Sequence, residues 1–131
     1  MARVLILDDE EAMREAIRMI LEEDGHEVAE ASDGVAGLKL FREHPSDVVV
    51  TDLIMPKKDG IETIRDLRRE FPDVKIVALS GRGGIQINAN LARAKLLGAD
   101  MTILKPCEPA EIRDAVRSLT ESKKKPKSQS S

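Results

Sequence analysis

The sequence predicts an α/β protein built on a parallel sheet, and three observations carry that prediction. Val4-Leu5-Ile6-Leu7, Val48-Val49-Val50-Thr51 and Met101-Thr102-Ile103-Leu104 are short runs without polar alternation, as in strands buried on both faces. Segments with apolar residues at helical spacing lie between such runs. Asp8-Asp9, Asp52 and Lys105 each follow a run directly, and open α/β sheets bind ligands outside the carboxyl ends of their strands.

The elements follow in order. Arg3 to Leu7 reads as the first strand. Met13, Ala16, Ile17, Ile20 and Leu21 then form the apolar stripe of a helix, which Gly25 ends as a C′ glycine. Glu27 to Glu30 is a short strand. Ser32 or Asp33 can cap a second helix that reaches His44 and stops at Pro45. Asp47 to Thr51 is the third strand, and Leu53 to Gly60 a turn-rich loop. Ile61, Ile64, Leu67 and Arg68 mark a third helix closed by Phe71-Pro72. Val74 to Leu79 gives the fourth strand. A glycine-rich loop from Ser80 to Gly84 leads to a fourth helix around 87–97, ended by Gly98. Met101 to Leu104 is the fifth strand, and Ile112, Ala115, Val116 and Leu119 mark a last helix starting near Glu108. Strands alternating with helices give right-handed crossovers and helices on both faces. The expected architecture is therefore a flavodoxin-like (βα)5 doubly wound sheet, strand order 2-1-3-4-5. Its switch point falls between strands one and three, which end at the acidic residues.

At 131 residues the chain reads as one domain, residues 1–121, with a disordered basic tail over 122–131. Net charge is -3, but Lys123, Lys124, Lys125 and Lys127 leave 17 basic against 24 acidic residues before them. So acidic a body argues against nucleic-acid or anionic-membrane binding by the folded part. One cysteine, Cys107, excludes an internal disulfide and fits a reducing compartment. The start MARVLILDDE lacks a signal-peptide stretch and no segment approaches transmembrane length, so a soluble, cytoplasmic protein is expected.

Acids at neighbouring strand ends repel one another, at about 4 kcal/mol per pair 4 Å apart and an effective dielectric near 20. Nothing in a core demands that cost, so a ligand is expected to relieve it. The donors are hard oxygens, which suit Mg²⁺ (or Mn²⁺) better than Zn²⁺. Asp52, alone at its strand end, is the natural nucleophile and can carry a phosphoryl group as an acyl phosphate. The metal and Lys105 would neutralise the transferred group. Ser80 can donate its hydroxyl to a phosphoryl oxygen, and Gly81 frees the loop backbone beside it. GxxxxGK[ST] is absent, so Gly81-Arg82-Gly83-Gly84 is no P-loop. His26 and His44 read as surface residues, and Cys107 as a small semi-buried hydrophobe.

The motifs LILDDEEAMRE, VVVTDLIMPKKDG, VALSGRG and GADMTILKP resemble, in order and spacing, a response-regulator receiver domain of bacterial two-component signalling. The likeness runs over about residues 2–120. It implies Asp52 as phosphoacceptor, Asp9 as direct metal ligand, Asp8 acting through metal-bound water, and the Ile54 carbonyl as a further ligand. It implies Ser80 as the switch hydroxyl, Lys105 as the phosphate-binding cation and a cis bond at Pro106. The implied partners are a sensor histidine kinase or histidine phosphotransfer protein and a downstream target. No output domain follows in this sequence, as in single-domain receivers. Thr102 occupies the position where the family usually carries Tyr or Phe, and the chain has no Tyr. A response in residues 80–88, rather than an aromatic rotamer switch, is expected. Cys107 stands where Phe often follows the proline. Two other classes compete: a phosphatase-like hydrolase, which would need a second acid and a substrate cavity, and a docking module without phosphorylation, which would not need the full acid set.

Overall fold

A computed structural model describes residues 2–53, 60–80, 92, 94, 95, 97–105 and 107–124. Five strands, β1 (Arg3–Leu7), β2 (Glu27–Ala31), β3 (Val48–Asp52), β4 (Lys75–Ser80) and β5 (Met101–Leu104), form one sheet in the order β2-β1-β3-β4-β5. Every neighbouring pair is parallel. The helices with described bounds are α1 (Glu11–Glu23), α2 (Gly34–Glu43), α3 (Gly60–Glu70) and α4 (Pro109–Lys124). Residues 92, 94, 95 and 97 are helical as well. The expected strand order is the observed one.

The unalternated runs are explained by two separate cores. Successive strand residues point to opposite faces, so Leu5 and Leu7 pack with Leu38, Phe41, Ile64 and Leu67 of α2 and α3. Val4 and Ile6 pack with Ile17 and Leu21 of α1 and with Ile112 and Val116 of α4. Both faces are dry, and β3 is buried at all five positions. A fully buried aliphatic side chain contributes roughly 1.5–3 kcal/mol, so the centre of the sheet is rigid ground for its end residues.

The helix ends follow local chemistry. At the end of α1, Gly25 has φ 89°; its N–H donates to the Glu22 carbonyl and the His26 N–H to the Leu21 carbonyl, the bonding of a Schellman end. Gly98 (φ 112°) closes the fourth helical segment in the same way, with Ala99 donating to Ala94. Of the two candidate caps for α2, Asp33 is the one used, its side chain accepting from the Ala36 N–H at 2.8 Å.

One expectation is corrected. His26 is not a surface residue: it is buried, and its Nδ1 accepts the Ala2 N–H at 3.1 Å. The turn after Gly25 swings the ring back under the start of the chain, a long-range contact invisible to local pattern. The last helix runs through Lys124. Glu, Ser and Lys all tolerate a helix, and the first breaker is Pro126, which disfavours helix at the residue before it. Residues 125–131 lie outside the described residues.

Candidate metal and phosphoryl site

Register builds the site. Leu7 pairs with Thr51 across β1 and β3, so the next residues, Asp8 and Asp52, emerge side by side at the carboxyl edge. Asp8, Asp9 and Asp52 each present an oxygen, and the three oxygens lie within 4.8 Å of one another. Asp8 and Asp52 are buried and Asp9 is exposed. The cluster thus has a dry floor and an open rim.

Lys105 reaches the floor from the end of the edge strand β5, across β4. Its N–H donates to the Ser80 carbonyl at 2.7 Å, which carries the β4–β5 ladder one residue past the Ser80–Leu104 pair. Its Nζ then donates to Asp52 Oδ2 at 2.9 Å and Asp8 Oδ2 at 3.0 Å, with Glu10 Oε1 at 3.8 Å. Burial pulls the ammonium pKa down, but the Asp52 and Asp8 carboxylates outweigh it and hold the group above the ordinary lysine value. The lysine is therefore charged at neutral pH. Among the described residues of the cluster, Asp8, Asp9, Asp52 and Lys105, three carboxylates stand against one ammonium, a balance that a divalent cation would complete. All the donors are oxygens, with no thiolate or imidazole among them, and this donor set fits Mg²⁺ or Mn²⁺.

The backbone around the acids is fixed by several groups. Asp8 Oδ1 accepts the Glu10 N–H at 2.9 Å, turning the chain from β1 into α1. The Thr51 hydroxyl donates to the Asp52 carbonyl at 2.9 Å. The Gly60 N–H donates to the Leu53 carbonyl at 2.9 Å. A Cβ on Gly60 would run into the Asp52 carbonyl oxygen and lie 2.6 Å from Leu53 Cα, so α3 packs against the end of β3 through bare backbone.

Of the residues singled out in the sequence, the fold brings together Asp8, Asp9, Asp52 and Lys105. Ser80 ends β4, one strand over from Asp52, and is buried. Thr102 lies within β5 opposite Ala78 and is half-buried. Ile54, Gly81 and Pro106, with the rest of the 81–88 segment, lie outside the described residues. Cys107 is half-buried, and burial pushes its thiol pKa up, so it has no thiolate character.

Two residues were not legible as part of the site. Arg14 donates from Nη1 to the Asp8 carbonyl at 2.7 Å and from Nε to Glu30 Oε1 at 2.8 Å; a helical arginine six residues beyond an acid carries no sequence signal for that. Gly60, the first residue of α3, gave none either: the close approach of its backbone to Asp52 and Leu53 leaves no local pattern.

A family model described as "Response regulator receiver domain" matches residues 4–117. A chemotaxis protein CheY of Halobacterium salinarum is 32% identical over 114 residues, covering 87% of this chain and 92% of that protein. A probable transcriptional regulator ycf27 of Guillardia theta is 36% identical over 117 residues, covering 89% of this chain and 44% of that protein. The chain thus spans about half the length of several of the curated relatives it matches. Among solved structures, a CheY-like receiver domain protein from Methanospirillum hungatei JF-1 superposes with TM-score 0.84 at 27% identity, covering 94% of this chain and 97% of that one. A receiver domain protein from Clostridium thermocellum gives 0.81 at 35% identity, covering 95% and 98%.

Proposed function

This chain belongs to the response regulator receiver domain family, and from that premise we propose that it is a signalling switch phosphorylated on Asp52. The donor would be a histidine kinase or a histidine phosphotransfer protein. The observation that carries the reading is Lys105 Nζ bridging Asp52 and Asp8 beside the exposed Asp9. A counter-cation already stands at the nucleophile, and the exposed Asp9 is accessible to a metal.

The chemistry asked of the chain is modest. An Asp52 carboxylate oxygen forms a P–O bond as the donor's P–N bond breaks, and the electron pair stays with the departing imidazole, which takes a proton. Lys105 then follows the charge onto the phosphoryl oxygens. Ser80, one strand away, would supply a hydroxyl donor to them. Asp8, Asp9 and Asp52, with the Ile54 carbonyl, would hold Mg²⁺ (or Mn²⁺), which when bound neutralises phosphoryl charge. The acyl phosphate ends by attack of water on phosphorus, returning the carboxylate and inorganic phosphate. In this reading the chain is a regulatory phosphoacceptor rather than an enzyme acting on other substrates.

Among the described residues no helix is long and apolar enough to cross a membrane. We place the protein in the cytoplasm on the chemistry of its donors. Its output would be altered binding of a downstream protein through residues 80–88 and the surface formed by the fourth helical segment, β5 and α4. Thr102 offers no ring to turn inward, so the response concentrates after β4.

The decisive experiment is incubation with acetyl phosphate and Mg²⁺ followed by intact-mass measurement. One added phosphoryl group is expected on the wild type and none on Asp52→Asn. Equal labelling of the two proteins would falsify the assignment.

A further inference from the structure

We infer that Arg14 is a positioning residue for the metal-binding acids, acting through the peptide that joins Asp8 to Asp9; the inference rests on the function proposed above. The Asp8 carbonyl belongs to the same rigid peptide plane as the Asp9 nitrogen and Cα. Arg14 Nη1 holds that oxygen at 2.7 Å. The exposed Asp9 carboxylate turns about its own side-chain bonds, but the Cα from which it reaches is carried by that peptide. Fixing the Asp8 carbonyl therefore fixes the point from which Asp9 reaches a metal.

The guanidinium is itself aimed. Glu30 Oε1 accepts from Arg14 Nε at 2.8 Å, and Glu30 Oε2 lies 3.1 Å from Arg18 Nε, one turn further along α1. Glu30 sits on β2, paired with Ile6 of β1, so the chain of contacts runs from the sheet through the carboxylate to the arginine and back to the end of β1. The Arg14 and Glu30 side chains are 16% and 30% exposed. That burial takes the pair out of the class of fully solvated ion pairs that contribute nothing measurable. Only a planar fork can donate to Glu30 from one edge and to a carbonyl from another.

This role makes a prediction opposite in sign to simple electrostatics. Arg14 is a cation beside a cation site, so its charge alone weakens Mg²⁺ binding, and removing it would tighten binding. A positioning role requires the reverse. Groups that orient metal ligands typically change affinity ten- to a hundred-fold, and we expect Arg14→Ala to weaken Mg²⁺ binding about ten-fold. Glu30→Gln, which keeps an acceptor but loses the charge that aims the guanidinium, should weaken it a few-fold. Arg14→Lys, with one donor group in place of the fork, should fall between the wild type and Arg14→Ala.

The test is calorimetric titration of Mg²⁺ into the unphosphorylated full chain, for the wild type, these three variants and Asp9→Ala. Circular dichroism melting without metal reports the fold separately. Arg14→Ala binding Mg²⁺ as tightly as the wild type or tighter, while Asp9→Ala binds weakly, overturns the role of Arg14 and leaves the proposed function standing. A wild type that does not bind Mg²⁺, or an Asp9→Ala that binds it equally well, overturns both. Should Arg14→Ala fail to fold, the two milder variants decide, and unchanged affinity in both rejects the inference. The phosphorylation rate of Arg14→Ala should recover at saturating Mg²⁺, since only placement of the ligands was lost. A deficit that persists there would show that Arg14 does not act through the metal ligands.

Discussion

The two ends of the sheet use aspartate in opposite ways. At the amino end, Asp47 Oδ2 accepts the Arg3 N–H at 2.9 Å, and Asp100 Oδ2 accepts the Ile76 N–H at 2.7 Å and faces Arg68 at 3.1 Å. Each of these acids satisfies a backbone donor of the neighbouring strand and pins its register. At the carboxyl end, Asp8, Asp9 and Asp52 crowd within 4.8 Å with Lys105 between two of them. There the acids repel one another across a shared ammonium. The difference separates a carboxylate that holds the fold from one that is held by it.

Four substitutions test that contrast beyond the labelling of Asp52. Gly60→Ala should have the largest effect on the fold, because its new methyl meets the Asp52 carbonyl and the Leu53 backbone rather than a flexible side chain. Overpacking of this kind costs about 1–3 kcal/mol; urea unfolding should show it, and phosphate uptake should drop because the Asp52 backbone must shift. Unaltered stability would mean that the helix and strand ends are not in rigid contact.

The next pair sets one end against the other. Asp100→Ala strands the Ile76 N–H in a buried position and should destabilise by about 1–3 kcal/mol. Asp9→Asn removes a like charge and should stabilise the metal-free protein by about 0.5 kcal/mol or more. Millimolar Mg²⁺ should then raise the wild-type Tm and leave that of Asp9→Asn nearly unmoved. Two changes of the same sign would erase the distinction between the ends.

The smallest effect concerns pH. The Arg117 guanidinium donates twice to Asp24, at 2.9 and 2.6 Å, and holds that carboxyl below its ordinary 3.8. A depressed folded value contributes stability that is fully present above the unfolded value and is lost as pH falls through the folded one. Arg117→Gln should therefore lower Tm by no more than a few degrees at pH 7, since the pair is exposed, and by less once Asp24 is protonated. A gap that widens in acid would contradict the linkage.

Much of this was readable from the chain. The acids and Lys105 were legible because strand ends are local events and parallel order then dictates which ends are neighbours. Boundaries moved by one residue where side chains took over from the ladder. The third strand was expected at Asp47–Thr51 and runs from Val48 to Asp52; Asp47 stands at its threshold, its N–H donating to the Arg3 carbonyl while its side chain accepts the Arg3 N–H. The fourth includes Ser80, whose carbonyl has Lys105 as partner. Arg14, Gly60 and the burial of His26 were not legible. Each depends on a side chain, or a missing one, meeting backbone far away in sequence, and no periodicity encodes that.

The lysine at the site is 97 residues from Asp8 and 53 from Asp52 along the chain. During synthesis from the amino terminus, all three acids and all five strands therefore precede Lys105. Closing a loop that long is an entropic cost with no local reward until β5 docks. When it docks, one event completes the sheet and brings Lys105 to the acids. Chains interrupted before β5 would carry the acids without that ammonium and leave the outer edge of β4 open. The site is thus also a marker of a completed sheet, assembled only when the last strand is in place.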